Sequence, residues 1–469
     1  MHGATPDGRV AVLVPTGALG AGLRMEHVER GLALGAVAIA ADAGSTDSGP
    51  SYLARGVSKW PREAIKRDLE VLMTAAARAR IPLLVGSCGT SGSDDALDWT
   101  ADIAREVARE QGLEPKIALL YCEQPPALIK VRNATGRVRP LPPSALATDE
   151  LIEACEHIVA LMGPEPYAAA LDAGADIVLG GRTTDTAVLA AVPLMRGAGP
   201  GPAWHAAKVA ECGGVCTEKR GEGGVLIRVG ADDFEIEPLS ATNQCTPHSV
   251  SAHMLYENSD PNRLIEPGGV LDVSDAVYTA LDDRRVRVTG SVWKPQPYTM
   301  KLEGAGAGPY QTISLVGIED PKVLADLDLF HDRLVGALRE RIERTFGEEA
   351  GDFDVSARLY GWNAVSGRQM PKDAAVPHEV GVLLVITAAT QSLATRMSKT
   401  CNPIFFHFPL SPEAPQPSYG FAFTPAEIER GRVYRFLLNH VVEAADGLEL
   451  VRIRWTGAVQ PYATETLDA

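Results

Sequence analysis

The chain has 469 residues, 45% of them hydrophobic, with 60 Asp and Glu against 44 Lys and Arg and a formal net charge of -16. That length allows two or three domains with a substantial core, and an acidic balance without a basic cluster argues against nucleic acid as a partner. No apolar run reaches the roughly 20 residues that span a bilayer, and Met1 to Asp7 lacks the parts of a secretory signal, so a cytoplasmic protein without a membrane partner is expected.

Residues 9–15 read as a strand, 25–34 as a helix and 36–41 as a second strand. The alternation continues with a helix over 62–79, a strand at 82–85, a helix over 94–109 and a strand at 116–121. Strands alternating with long helices imply parallel pairing through right-handed crossovers. Helices are predicted at 149–158 and 167–173 and a strand at 176–179, before the Gly/Pro stretch 197–202 breaks the pattern. Strands with turns then dominate, at 225–229, 234–237, 285–289 and 310–316, followed by an amphipathic helix over 324–346 with Leu327, His331, Leu334, Leu338 and Ile342 along one side. The tail reads as strand 380–387, helix 393–398, strand 403–408, helix 425–442 and strand 448–454, which fits a small ferredoxin-like α+β sandwich. The expected architecture is a doubly wound, mostly parallel α/β domain over 1–230, a β-rich or α+β region over 231–368, and a ferredoxin-like domain over 375–469. The cysteines Cys88, Cys122, Cys155, Cys212, Cys216, Cys245 and Cys401 are odd in number and scattered, as reduced thiols would be.

Three strand-to-helix loops share small residues, hydroxyls and carboxylates: Asp42-Ala43-Gly44-Ser45-Thr46-Asp47-Ser48-Gly49, the segment 86–95, and Gly180-Gly181-Arg182-Thr183-Thr184-Asp185-Thr186. At the carboxyl ends of an α/β sheet such loops lie together, where N–H groups and helix N-termini hold anions. In the second loop Gly86, Gly89 and Gly92 would let backbone approach a ligand, with Ser87, Cys88, Thr90 and Ser91 beside it. A tight turn capped by Ser93 or Asp94 is the structural alternative. Neither a phosphate-binding Lys loop nor a dinucleotide fingerprint is present, which disfavours nucleotide binding and hydride transfer. Cys88 could be an activated thiol or a small buried one.

Gly181, Arg182, Thr183, Thr184 and Asp185 would face the crevice, Arg182 gripping a substrate carboxylate or bridging Asp42 or Asp47 instead. Ser45 and Thr46 would add donors. Asp42, Asp47, Asp94 and Asp95 could converge as a general base, or as oxygen ligands for a divalent cation such as magnesium or manganese, or could simply cap turns. His248 could be an acid/base partner or a capping or core histidine. Its spacing from His253 gives no metal pair, and Cys212 with Cys216 gives no zinc or cluster pattern. Glu123 and Lys294 are weaker candidates for a base and an anion contact.

Residues Ala41 to Pro50, Gly180 to Ala187, Glu211-Cys212-Gly213-Gly214 and Thr246 to Glu257 together resemble the acyclic terpene utilisation (AtuA-like) family. Lys399 to Phe406 resembles the small ferredoxin-fold domain that accompanies that family, here fused. The resemblance implies breakdown of branched acids and acyl-CoA esters by lyase, hydratase or isomerase steps, and transfers no catalytic residue. The expected protein is a homo-oligomeric enzyme acting on a small carboxylate or acyl-CoA, and the alternative is a non-catalytic acyl- or anion-binding scaffold subunit.

Overall fold

Five short strands, Val10–Val14, Ala38–Asp42, Leu83–Gly86, Ile117–Tyr121 and Ile177–Gly180, are buried along their whole length. Runs of Val, Ile, Leu and Ala with no polar alternation require cover on both faces, which parallel strands with crossover helices receive. They pair in parallel in the order first, second, third, fifth, fourth, with Val12 opposite Ala38, Ile39 opposite Leu83, and Val178 opposite both Leu84 and Ala118. The helices Met25–Ala33, Arg62–Ala79 and Asp94–Glu110 contribute Val28, Leu69, Leu72, Leu97 and Ala104 to the core on one face.

This is the structure of a mixed α/β chain with several sheets, shown by a computed structural model that describes residues 8–371, 373–411 and 413–457. It falls into two units, Met1–Gly306 with Arg435–Ala469, and Ala307–Tyr434. The main sheet of the first unit has ten strands, and only the central five are parallel. Val225–Val229, Asp233–Pro238, Val286–Thr289 and Val277–Ala280 extend one edge antiparallel, and Arg452–Thr456 pairs antiparallel with Ile117–Tyr121 at the other. The expectation of a mostly parallel sheet thus holds for the centre alone.

Other local expectations also change. The helix predicted over 149–158 stops at Glu153, and His157–Ala160 is a strand pairing with Leu302 to Ala305. The Gly/Pro break opens a helix, Pro200–Ala210, in which proline occupies the first turn, where its missing N–H costs nothing.

In the second unit the elements are the latter part of Thr299–Ile318, the helix Leu327–Phe346, strands Asp354–Tyr360 and Val380–Ala388, the helix Gln391–Phe405 and the start of Ile428–Glu443. Leu327, Phe330, Leu334, Leu338 and Ile342 bury against Val382, Leu384 and Ile386, with Phe330 in the place expected for His331. The predicted strand at 403–408 is the end of a helix. The predicted helix over 425–442 is a strand whose closing burial alternates residue by residue, the period of a sheet. No helix among the described residues is long and apolar enough to cross a membrane.

Candidate active site

The carboxyl ends of the parallel strands bring three loops side by side. Ala43 N–H donates to the Gly86 carbonyl (2.9 Å), Ser87 N–H to Gly181 (3.0 Å) and Arg182 N–H to Gly92 (3.0 Å). Gly92 has φ +65°, and a Cβ there would lie 2.1 Å from the Arg182 nitrogen. Left-handed backbone costs an L residue ~1–2 kcal/mol, and this clash is with backbone that cannot swing aside. Gly92→Ala should therefore lose about 2 kcal/mol or more of stability, read as a lower denaturant midpoint at unchanged slope.

The glycines of the second loop serve contact between loops. Residues 86–93 are buried, and the hydroxyls of Ser87, Thr90 and Ser91 are used internally, while Ser93 Oγ has no partner among the described residues. Ser87 Oγ accepts from Arg182 Nη1 (3.0 Å) and donates to the Thr183 carbonyl (3.2 Å), Thr90 Oγ1 accepts from Lys59 N–H (2.9 Å), and the Ser91 hydroxyl reaches the Tyr52 carbonyl (3.5 Å). Burial, reinforced by the Asp42 charge, raises the Cys88 thiol pKa, so this cysteine stays protonated. Thr183 turns inward to Tyr167 Oη (2.8 Å).

Arg182 is the hub, at 5% exposure. Its Nε donates to Glu303 Oε2 (3.3 Å) and its Nη1 to Asp185 Oδ1 (3.2 Å), while Nη2 has no partner among the described residues. Burial works against its charge, but Glu303, Asp185 and Asp42 outweigh that and raise its pKa. Glu303 also accepts from Lys301 Nζ (2.7 Å) and Thr46 Oγ1 (3.0 Å). Burial opposes the Glu303 charge, yet Arg182 and Lys301 hold its pKa below the usual carboxylate range.

Asp42 and Asp185 go the other way. Asp42 Oδ2 accepts from Gly44 N–H (2.8 Å), and its buried Oδ1 has no partner among the described residues. Burial, then repulsion from Asp185, raises its pKa well above the ordinary value. Burial also raises Asp185 against the pull of Arg182, although 27% of its side chain remains exposed. Asp47 lies on the exposed turn capped by Ser45 Oγ (3.1 Å to Asp47 N), and its charge bears on Asp185.

The structure gives Asp94 and Asp95 other surroundings from those of Asp42 and Asp47, both of which interact with Asp185. Asp94 N–H donates to Glu123 Oε2 (2.9 Å) and the Asp94 carboxylate pairs with Arg452, whereas the charges bearing on Asp42 are Asp185 and Arg182. Asp95 is exposed, and Glu123 binds His157 Nδ1 (2.7 Å). His248 is exposed on Pro247–Ala252, where the Thr246–Ser249 capping box sets the helix start, and it is His253 that is buried. Lys294 sits outside the site, paired with Asp272 (2.7 Å).

Residues 46–219 and 233–433 match the family model described as acyclic terpene utilisation family protein AtuA. The chain belongs to the AtuA family. No curated protein and no solved structure matches it. The AtuA match covers Arg182, Asp185 and Glu303, and it runs on through the 399–406 segment, so that segment lies within the same family model.

Around Asp185 stand further groups that sequence reasoning does not single out. Lys208 and Glu211 form an ion pair at the end of Pro200–Ala210, both almost fully buried. Burial, tempered by Lys208 and renewed by Asp185, pushes Glu211 up to about 8. Their spacing of three in a helix next to the Glu211-Cys212-Gly213-Gly214 motif was the available signal, obscured by the Gly/Pro stretch. Burial, followed by Lys208 and Arg220, lowers His253 to about 4, leaving it neutral at pH 7. Glu266 accepts from Thr186, has no partner for Oε2 among the described residues, and is raised by burial to about 7.

Glu266 makes stability depend on pH. The folded chain keeps a proton that an unfolded carboxyl releases above its ordinary value of 4.5. Stability attributable to this group is therefore present below 4.5, falls as pH rises to about 7 by about 3 kcal/mol, and is level above. Glu266→Gln should flatten that decline and exceed the parent chain at pH 8, measured by urea unfolding across the range.

Proposed function

We propose that this cleft carries out proton transfer on a carboxylate or acyl-CoA substrate, a lyase, hydratase or isomerase step in branched-acid catabolism. The observation that supports it is one guanidinium shared by Asp42 and Asp185, whose acidities are both weakened, with only Asp185 reaching solvent. A carboxyl whose proton affinity is raised toward neutrality can take a proton beside a carbonyl and return it. Arg182 supplies positive charge where an enolate or carboxylate would gain negative charge. In this reading Asp185 is the proton carrier, Asp42 keeps its own proton beside the guanidinium, and Ser45, Thr46 and Asp47 border the entrance. Membership of a family named for acyclic terpene utilisation, a catabolic process, fits such a substrate. We also read the Ala307–Tyr434 unit as ferredoxin-like, since its elements run strand, helix, strand, strand, helix, strand.

The test is a panel of short branched acids and their CoA esters, with and without magnesium or manganese, followed by mass spectrometry for gain or loss of one water or for fragmentation. Turnover that requires Asp185 supports the proposal. Tight acyl-CoA binding without any turnover would assign the chain to a binding or scaffold role instead.

A further inference from the structure

We propose that Glu211, Cys212 and His253 form a binding site for a divalent transition-metal ion of the zinc type. One ligand atom from each lies within 4.8 Å of the other two. In a tetrahedral zinc site, with bonds of about 2.0–2.3 Å, ligand atoms stand roughly 3.3–3.8 Å apart, so a modest side-chain closure completes the geometry.

His253 supplies the independent observation. It is 3% exposed, its Nε2 has no hydrogen-bond partner among the described residues, and that nitrogen lies 4.0 Å from Glu211 Oε1. An imidazole nitrogen buried without a partner is costly unless something else satisfies it. Its ring is held by stacking on Tyr256, with centroids 5.5 Å apart and planes at 24°. Glu211 engages Lys208 through Oε1, which leaves Oε2 available. Cys212 follows Glu211 directly, so one turn at the end of Pro200–Ala210 presents two ligands and the turn after Pro247–Ala252 presents the third.

The donor set names the metal class. One thiolate, one imidazole and one carboxylate suit zinc or cobalt(II), while magnesium and manganese prefer oxygen alone. Binding would expel the Cys212 thiol proton to solvent as the sulfur–metal bond forms. Three protein ligands leave a fourth position open, as in catalytic rather than structural zinc sites. The site adjoins Asp185, whose charge reaches both Glu211 and Cys212. Metal binding does not depend on the catalytic reading of the cleft, although any role in turnover would.

Cobalt(II) titration of the full chain provides the test, because thiolate ligation gives a near-ultraviolet charge-transfer band and tetrahedral geometry gives visible absorption. The expected result is saturation at one equivalent, with the charge-transfer band lost in Cys212→Ser, affinity at least tenfold weaker in His253→Gln, and displacement by zinc but not by magnesium. No band in the parent chain, or an unchanged band in Cys212→Ser, would overturn the site. A band that persists in Asp185→Asn supports it whether or not that variant retains turnover, so the two proposals can fail separately.

Discussion

Asp185→Asn should lower turnover roughly 10²–10⁴-fold while the protein remains folded. Asparagine retains an oxygen to accept from Arg182 Nη1, so the contact seen at 3.2 Å can persist. What it removes is the ability to hold and release a proton at the one carboxyl of the Arg182 cluster that is open to the cleft, with 27% of its side chain exposed. The effect belongs in kcat, because a proton carrier acts in the transition state more than in binding. Asp42→Asn acts differently. Asp42 is buried beside the guanidinium, and repulsion from Asp185 adds to burial in weakening its own acidity. Its neutral variant should leave catalysis in place and move the acidic limb of the pH–rate profile little, since Asp42 already holds its proton while Asp185 ionises. Full kcat in Asp185→Asn, measured with the substrate found in the mass-spectrometric panel, would place the chemistry elsewhere.

The parts of the site that sequence reveals are those whose position follows from strand ends. Asp42, Arg182 and Asp185 were legible because Asp42 ends one short apolar run and Arg182 and Asp185 lie in the loop that follows another, and residues at the carboxyl ends of parallel strands must share one edge. Glu303 was not legible. It stands 121 residues from Arg182, in a strand where Lys301 and Glu303 alternate with apolar neighbours as any half-exposed strand would. Only the fold turns that face onto the guanidinium. His253 was passed over for His248 because spacing cannot say which way a short helix rolls, and here the Thr246–Ser249 cap leaves His248 outside. The helix expected over 425–442 failed for a related reason. Leu437 and Leu438 in series suggest a helical face, but Val433, Tyr434, Phe436, Val441 and Val442 are strand formers, and pairing of Val441 with Arg139 decides the matter. Aspartates in loops were the least decisive signal, since capping and catalysis use the same residue. Asp94 proved to be bound to Arg452, far in sequence from anything a local reading considers.

Arg182→Met should cost about 3–5 kcal/mol of stability, more than any single change in the surrounding loops. Methionine fills much of the same volume, so the loss would come from charge: Glu303, 3% exposed in its side chain, would keep Lys301 and Thr46 but lose its contact with the guanidinium, and Asp185 would lose its only direct ion pair among the described residues. Because residues sharing one ion-pair network do not act independently, adding Glu303→Gln to Arg182→Met should recover about 1–3 kcal/mol, whereas Glu303→Gln alone should destabilise by stranding part of the Arg182 charge. The pH dependence separates this account from a packing defect. In the parent chain Glu303 has a depressed pKa, so its contribution is present above the ordinary value of 4.5 and disappears as pH falls below it. Without Arg182, only Lys301 and Thr46 oppose burial, so the same carboxyl takes up a proton more readily. The difference in stability between Arg182→Met and the parent should therefore be largest near pH 7 and shrink as acid protonates Glu303 in both chains. A cavity or a misplaced loop would give a difference that does not change with pH, and urea unfolding of the two chains at pH 4 and pH 7 distinguishes the two.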